Sequence, residues 1–447
     1  MVIPADEVAA RLGRALGGTV SGLRRLSGGA SRTTSSLELR RPDGTITPLI
    51  LQQDRGSLPD QGSRANVQAA LLTAARAVGV PVPEVVAAGP DGLPPGWLVA
   101  ERVDGESIPR KILRDPEWAG ARSALTAQCG HALAAIHGID PAAIDGLPPR
   151  DPLDDPRSFL DALGEVRPAL ELGVRWLGAN RPPSQSVTTV HGDFRMGNLL
   201  IGQGGLRAVL DWELAHVGEP AEDIGWLCAP AWRFGGPGRV GGFGDLGSLL
   251  EAYTAAGGEY VEESRVHWWE VYATVKWAVI CALQASAHLS GRTRSIELAA
   301  IGRRVCESEW DLFTLLGVVP EGEEPPLEVP EPRPPLSPFG RPTLEELAEA
   351  LGEHLERLAT EPADGSSRFE ARIAANVLGT IGRQLDLGPA VARAHARRLA
   401  RLGFDDDATL ASAVRRGTFD DDWAELGAVL ATSARDQLLV ANPSYLP

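Results

Sequence analysis

The spacing of apolar residues changes once along this chain, and that change limits the folds available to it. The first hundred residues alternate short extended patterns, such as SSLELRRPDG and TITPLILQQD, with Gly, Pro and Asp turns, which is typical of an antiparallel sheet. One helical pattern, Ala65 to Val78, interrupts them. From Pro116 to Leu316 the spacing is largely helical, with a single strand-like stretch at 186–212. The sequence therefore predicts an α+β fold in which a small antiparallel sheet lobe precedes a larger helical lobe.

A segment rich in proline and glutamate follows the helical lobe and favours extended backbone over packing. Beyond it, Thr343 and Glu346 form a capping-box pattern that predicts the start of a helix. Gly388, Gly403 and two FDDD runs separate the further helical patterns. We therefore predict an N-terminal lobe at 1–103, a C-terminal lobe at 104–316, a linker at 317–342 and an all-helical accessory domain at 343–447.

The charge of this 447-residue chain limits its partners. A formal charge of −16 opposes general binding to nucleic acids or anionic membranes, which relies on clustered basic residues. The four cysteines lack zinc-ligand spacing, and the N-terminus lacks the basic start and apolar run of a signal peptide. The longest apolar stretch, Val271 to Ala287, is too short to span a bilayer. We expect a cytoplasmic protein with reduced, buried cysteines that binds neither nucleic acid nor membrane; its oligomeric state stays open.

The strand-like stretch carries the residues that indicate a chemistry. Asp193 and Asn198 lie on a loop between strand patterns, and Asp211 follows a later apolar run, so that hairpin pairing would bring it back beside Asn198. Phosphoryl transfer needs a carboxylate near the acceptor hydroxyl and hard oxygen ligands for Mg²⁺. Each residue alone could be a turn or cap residue, but the complete ordered set favours a catalytic centre.

The pattern H-G-D-x-x-x-x-N, followed by D-W and G-E-P-x-x-D, resembles the aminoglycoside phosphotransferase family, a choline-kinase-like group related to protein kinases. The resemblance implies a protein-kinase-like two-lobe fold and a reaction that uses ATP and Mg²⁺. It implies that Asp193 orients and deprotonates the acceptor and that Asn198 and Asp211 ligate Mg²⁺. His191 and Asp223 would then support the loop.

The resemblance also implies a nucleotide site in the first lobe. A turn whose glycines let backbone amides approach phosphates is the expected phosphate loop, formed by Ser27, Gly28, Gly29, Ala30 and Ser31. The backbone near Glu101 and Val103 is expected to meet the adenine. The family usually carries Lys or Arg in the strand PLILQQDR and a glutamate partner in the next helix, but here these positions are Gln52 and Gln68.

Two accounts of these glutamines stay open. Their amides can hydrogen-bond each other while Mg²⁺ or nearby arginines, namely Arg32, Arg55 or Arg64, take the phosphate charge. Alternatively the lobe has lost efficient ATP binding, and the protein is a nucleotide-binding or regulatory module with weak or no turnover.

The expected acceptor is a hydroxylated small molecule. The loop after the metal motif holds Trp232, Arg233 and Phe234 among glycines and could line the acceptor cleft, although a surface loop pinned by aromatics fits equally well. Glu213 is a further candidate, or a solvated acid. Residues 20–316 are most similar to the kinase module fused to some acyl-CoA dehydrogenases, which makes a hydroxyacyl-CoA a candidate acceptor; an antibiotic is the other alternative.

Overall fold

A computed structural model describes residues 4–26, 32–54, 61–89, 96–164, 166–320, 327, 344–360 and 365–446. Its N-terminal part contains five strands and two helices: α1 (Ala5–Leu16), β1 (Thr19–Arg25), β2 (Arg32–Arg40), β3 (Ile46–Asp54), α2 (Gln61–Ala77), β4 (Val85–Gly89) and β5 (Trp97–Glu101). The strands form one antiparallel sheet in the order β1-β2-β3-β5-β4. The sheet and α2 confirm the predicted first lobe, whereas α1 is an element that the sequence patterns did not predict.

Alternating leucines build the core of this sheet. Leu37 and Leu39 on β2 and Leu49 and Leu51 on β3 are buried, as the two-residue period of a strand with one buried face requires. In the antiparallel register Leu37 lies opposite Leu49. The core is completed by apolar side chains from α1 and β5, namely Val8, Leu12, Trp97 and Val99. This packing fixes β3 between β2 and β5 and so determines where its later residues lie.

The next part of the chain is mainly helical. Its helices are α3 (Pro109–Arg114), α4 (Ala119–His137), α5 (Asp154–Leu163), α6 (Pro168–Ala179), α7 (Pro220–Cys228), α8 (Leu246–Ala255), α9 (Glu263–Leu289), α10 (Ile296–Ile301) and α11 (Val305–Leu315). Four short strands form two antiparallel pairs: β6 (Thr188–Val190) with β9 (His216–Gly218), and β7 (Leu199–Gly202) with β8 (Gly205–Val209). These strands confirm the strand-like stretch that the sequence predicts within the helical lobe.

Four helices follow: α12 (Leu344–Thr360), α13 (Gly365–Arg401), α14 (Asp407–Arg415) and α15 (Trp423–Ala441). They confirm the helical character predicted for the last part of the chain. The predicted break at Gly388 is wrong, because α13 continues through Gly388 and Pro389. A proline inside a helix costs one backbone hydrogen bond, but burial of Ala390, Ala394 and Leu399 beyond it holds the helix together. Some of the predicted features lie outside the described residues: the phosphate loop at Ser27 to Ser31, Arg55, Thr343 and nearly all of the linker.

The chain divides into two compact units that do not follow its linear order. Residues 1–150 and 183–269 form the first, and residues 151–182 and 270–447 form the second. The four predicted linear segments therefore stay a prediction. Within the second unit, the C-terminal helices share a core with α6 and α11, which contains Leu172, Phe313, Leu399, Leu410 and Leu430. Among the helices that the structure describes, none has the length and apolar character needed to cross a membrane.

Candidate active site

The loop that follows β6 begins with a turn that only glycine can make comfortably. Gly192 has a φ of 76°, in the left-handed region that side chains disfavour. A Cβ on this residue would lie 2.4 Å from the carbonyl oxygen of Leu214, so that a side chain there would also collide with backbone. The pairing of β6 with β9, in which Val190 lies opposite His216, fixes the start of the loop.

The Asp223 carboxylate anchors this loop from the first turns of α7. Its two oxygens accept the backbone N–H groups of His191 and Gly192 at 2.7 and 2.8 Å. His137 Nε2 on α4 lies 3.1 Å from the same carboxylate. Burial alone would raise the pKa of Asp223, but the hydrogen bond and charge of His137 and the further donors outweigh it and lower the pKa. The carboxylate is therefore kept ionised as a fixed support.

His137 itself is held in place by a neighbour. Its Nδ1 lies 2.9 Å from the hydroxyl oxygen of Tyr253 on α8, so that both ring nitrogens are bonded. The sequence predicts no role for His137, since a single histidine on a helix gives no signal of such a contact.

His191 links the loop to the strand that precedes Asp211. Its Nε2 donates to the carbonyl oxygen of Leu210 at 2.9 Å, while its Nδ1 accepts the backbone N–H of Asp193 at 3.2 Å. The ring is fully buried, and burial lowers the pKa of His191, although Asp223 and Asp193 act in the opposite direction. A neutral ring with the proton on Nε2 satisfies both contacts.

Three side chains hold the carboxylate of Asp193. Trp226 Nε1 donates to Oδ1 at 2.8 Å and Arg195 Nε donates to the same oxygen at 3.0 Å. Asn198 Nδ2 donates to Oδ2 at 2.6 Å and to the Asp193 carbonyl oxygen at 2.9 Å. The Asp193 side chain is 16% exposed. The carboxylate is thus fixed in orientation, with part of its surface open to a reactant.

Arg195 and Trp226 are functional candidates that the sequence patterns did not predict. The guanidinium of Arg195 lies 4.5 Å from the centre of the Trp232 ring, a cation–π geometry. Trp226 packs against Trp232, with ring centres 5.5 Å apart. The available signal was their position within the two motifs, since Arg195 lies in HGDFRMGN and Trp226 follows GEPAEDIG.

The β7–β8 hairpin brings the backbone of Asn198 and Asp211 together, as the sequence predicts. Leu199 lies opposite Val209, and Leu210 N donates to the Asn198 carbonyl oxygen at 2.8 Å. Asp211 follows directly, is exposed, and has a φ of 58°. A left-handed backbone is uncommon for residues other than glycine, and such positions are often found at functional sites.

The donor set of these two residues fits Mg²⁺. Both contacts to Asp193 use Nδ2 of Asn198, so that its amide oxygen faces away from them, and Asp211 adds a carboxylate. Such hard oxygen ligands suit Mg²⁺, which commonly takes only one or two protein ligands and completes its shell with water and phosphate oxygens. Within the described ranges no group of three or more His, Cys, Asp or Glu residues could hold a metal ion, so that a larger protein-only cage is not formed there.

Beside the sheet, Gln52 of β3 and Gln68 of α2 contact each other directly. Gln68 Nε2 on α2 donates to Gln52 Oε1 on β3 at 3.2 Å, and Gln68 is buried. This is the amide pair that the first of the two accounts requires. Glu101 ends β5, where its N–H donates to the Glu84 carbonyl oxygen at 2.8 Å, and the half-buried Val103 follows two residues later. What these residues do toward a nucleotide stays a prediction.

The proposed acceptor loop is ordered by its aromatic residues. Trp232 is buried, and its ring centre lies 6.3 Å from that of Phe234, whose φ of 49° is again left-handed. Arg233 Nε donates to the Cys228 carbonyl oxygen at 3.0 Å, which ties the loop to the end of α7. Exposed Glu213 lies in the turn after Asp211. A role of these residues in acceptor binding therefore stays a prediction.

Two protein families match parts of the chain. Residues 22–269 match APH, described as the phosphotransferase enzyme family, and residues 361–445 match the domain of unknown function DUF6285. Acyl-CoA dehydrogenase family member 10 of Mus musculus is 30% identical over 206 residues, which cover 42% of this chain and 18% of that protein. Acyl-CoA dehydrogenase family member 11 of Homo sapiens is 28% identical over 202 residues, which cover 41% of this chain and 24% of that protein. The chain thus matches only a minor part of the length of these relatives.

One solved structure shows the fold. A Ralstonia eutropha JMP134 protein, described as a candidate aminoglycoside phosphotransferase, superposes with a TM-score of 0.54 at 20% identity, covering 70% of this chain and 98% of that one. This confirms the predicted kinase-like α+β fold, and the family match confirms the predicted enzyme class. Since the matched residues make up more than half of the sequence, the chain belongs to the phosphotransferase enzyme family.

Proposed function

We propose that this protein transfers the γ-phosphoryl group of ATP to a hydroxyl group of a small molecule. The observation that carries the proposal is the carboxylate of Asp193, which the side-chain donors of Trp226, Arg195 and Asn198 hold in one orientation. Phosphoryl transfer depends mainly on positioning and on charge stabilisation, and a fixed carboxylate supplies the first of these.

In the proposed reaction Asp193 orients the acceptor hydroxyl and takes its proton. The acceptor oxygen forms a bond to the γ-phosphorus while the bond from that phosphorus to the β-γ bridging oxygen breaks, which releases ADP. Because Asp193 Oδ1 accepts from Trp226 and Arg195 and Oδ2 from Asn198, the hydroxyl meets a carboxylate that does not have to reorganise. General base catalysis of this kind contributes about 10²–10⁴-fold to a rate.

The second part of the proposal concerns charge. Asn198 through its amide oxygen and Asp211 through its carboxylate would hold Mg²⁺. When bound, this ion would neutralise the phosphate oxygens of ATP. The hairpin supports this assignment because it fixes the backbone of both residues.

For the acceptor we propose a hydroxyacyl-CoA or a related metabolite. The support is the similarity to acyl-CoA dehydrogenase family members 10 and 11, whose names point to acyl-CoA chemistry. The partly exposed Arg195, which stacks on the buried ring of Trp232 beside Asp193, would suit an uncharged or anionic acceptor better than a polycationic antibiotic. An antibiotic acceptor is therefore the weaker alternative.

A second candidate is a kinase-fold protein that binds nucleotide without efficient turnover. The identity of Gln52 and Gln68 motivates it, because two amides occupy the positions where the family usually has an ion pair for the nucleotide phosphates. An isothermal titration with ATP, with and without Mg²⁺, separates the candidates from a protein that no longer binds nucleotide at all.

The decisive experiment follows ADP release with ATP, Mg²⁺ and a panel of hydroxylated metabolites that includes 3- and 4-hydroxyacyl-CoA esters. We expect ADP release with at least one acceptor, and a loss of about 100-fold or more in kcat for Asp193→Asn. Asp145→Asn, at an exposed position, is the matched control and should keep full activity. ATP binding without ADP release for any acceptor would favour the second candidate, and full activity of Asp193→Asn would contradict the assigned role.

A further inference from the structure

Two adjoining cavities lie in the second compact unit, to which Asp193 does not belong. Each has a volume of about 260 Å³, and Arg167, His395 and Gln437 line both of them. We call the first the valine cavity, because Val305, Val391 and Val440 line it. Small-molecule sites span about 300–1,000 Å³, so that the valine cavity, at about 260 Å³, has room for a small ligand of a few carbon atoms.

The wall between the cavities is built in place by hydrogen bonds. His395 Nδ1 lies 3.0 Å from Ser433 Oγ, and His395 Nε2 lies 3.0 Å from Asp407 Oδ1. Ser433 Oγ also accepts from Nη1 of the buried Arg398 at 3.2 Å. Arg398 is in turn paired with the buried carboxylate of Asp436. Because helices α13, α14 and α15 each supply part of this network, the wall is rigid before any ligand arrives.

The valine cavity combines positive charge with an apolar surface. Two guanidinium groups, those of Arg167 and Arg303, line it, and none of its lining residues that the structure describes carries a carboxylate. Arg303 Nη2 donates to Oε1 of Gln384 at 2.7 Å, which is a neutral partner. Arg167 Nη1 lies 3.6 Å from Glu309, a residue that lines the neighbouring cavity. Among the contacts of the described residues, Arg303 therefore supplies the positive charge of this cavity that is not already beside a carboxylate.

We propose that the valine cavity binds a small organic anion with an apolar body. Its carboxylate or phosphate group meets Arg303 and Arg167, and its carbon chain lies along Val305, Val391 and Val440. Guanidinium groups suit both head groups because their N–H donors match the spacing of carboxylate and phosphate oxygens. The site gives the C-terminal helices a binding role that is separate from phosphoryl transfer.

The test measures binding of four probes to the full chain by isothermal titration and saturation-transfer NMR. Hexanoate and hexyl phosphate are the anionic probes, hexanol is the neutral probe and hexylammonium is the cationic probe. We expect both anions to bind at least tenfold more tightly than hexanol and hexylammonium. Arg303→Ala should weaken anion binding at least fivefold, and Val391→Phe, which fills the cavity, should weaken both anions to a similar or greater extent.

Arg397→Ala is the matched control, since Arg397 is an exposed arginine on α13 outside the residues that line either cavity. It should bind the anions as the native protein does. The proposal is overturned by equal affinity for hexanol and hexanoate, by absent anion binding, or by equal binding to Arg303→Ala and Arg397→Ala. Arg303 is exposed, so that its substitution tests the idea even if Val391→Phe disturbs folding. Neither ATP nor an acceptor enters the assay, so its outcome is independent of the proposed reaction.

Discussion

The indole nitrogen of Trp226 lies 2.8 Å from Oδ1 of Asp193 and donates a hydrogen bond to it. The same oxygen also accepts from Arg195, and α7, which carries Trp226, is the helix whose Asp223 fixes the loop backbone. One helix therefore holds both the main chain of the loop and the side chain that we propose as the base.

Replacing Trp226 by Phe removes this donor while keeping an aromatic ring against Trp232. A hydrogen bond to a charged group contributes about 1.5–3 kcal/mol, so that we expect kcat to fall by roughly tenfold to a hundredfold with little change in the KM for ATP. Steady-state kinetics measure both values. An unchanged kcat would show that Trp226 only fills space.

Asp211→Asn should weaken the response to Mg²⁺ more than it weakens the fold. The variant keeps an oxygen ligand but loses a negative charge, and Asn tolerates the left-handed backbone that this position requires. We expect the Mg²⁺ concentration that gives half-maximal activity to rise at least tenfold. Glu251→Gln, at an exposed position on α8, is the control; an equal rise in both variants would argue against a metal role for Asp211.

The glutamine pair can be converted back to the ion pair that is usual in the family. Gln68→Glu alone places a carboxylate at a buried position and should destabilise the protein by roughly 3 kcal/mol, whereas adding Gln52→Lys should recover most of that loss. Urea unfolding of both single variants and the double variant gives the coupling free energy. If the amide pair limits ATP binding, the double variant also binds ATP more tightly; additive effects would show that the two positions act independently.

His191 should make stability depend on pH in the range where histidine titrates. Burial lowers its pKa in the folded state, so that the stabilisation is complete above the unfolded pKa of about 6.5 and is lost as the pH falls below it. The folded pKa of Asp223 is also lowered, but its contribution is lost only at more acidic pH.

Between pH 7 and pH 5 the native protein should therefore lose more unfolding free energy than His191→Asn, which keeps a donor and an acceptor at this position. Urea unfolding at pH 7, 6 and 5 measures the difference. His354→Asn, at an exposed histidine on α12, should behave like the native protein. Identical slopes for the native protein and His191→Asn would contradict a neutral, buried His191.

Arg398 and Asp436 form a buried ion pair in the second unit, each 2% exposed. Arg398→Met leaves the buried Asp436 carboxylate with the longer contact to Arg435, at 3.4 Å, and should lower the free energy of unfolding by about 3 kcal/mol. Adding Asp436→Leu should recover a large part of this. Arg397→Met, next to it but exposed, should change stability by less than about 0.5 kcal/mol. Calorimetry of the four proteins provides the check.

The sequence predicted most reliably the features that depend on neighbouring residues. The alternating leucines of β2 and β3 appear directly in the sequence, and they predict the sheet. The strand-like stretch around Asp193 likewise predicts the hairpin that aligns Asn198 with Asp211. Helix α1 was detectable as well, because Val8 and Leu12 are four residues apart and Gly17 ends it in a left-handed cap.

The contacts that join distant parts of the chain could not be predicted in this way. His137 reaches Asp223 from 86 positions earlier, and Trp226 reaches Asp193 from 33 positions later, so that no local pattern records either contact. Gly388 misled the prediction for the opposite reason. The preference of glycine against a helix interior is real, but the packing of α13 outweighs it.

The shared core of the second unit has a practical consequence for anyone who wishes to isolate the catalytic part. A fragment ending at Leu316 would keep α6 and α11 but expose Leu172 and Phe313 to water. It would also leave the buried Glu171 without Arg415, whose Nε donates to it at 3.2 Å. The two family matches therefore do not mark a safe place to cut, and a transplanted phosphotransferase would have to carry its C-terminal helices with it.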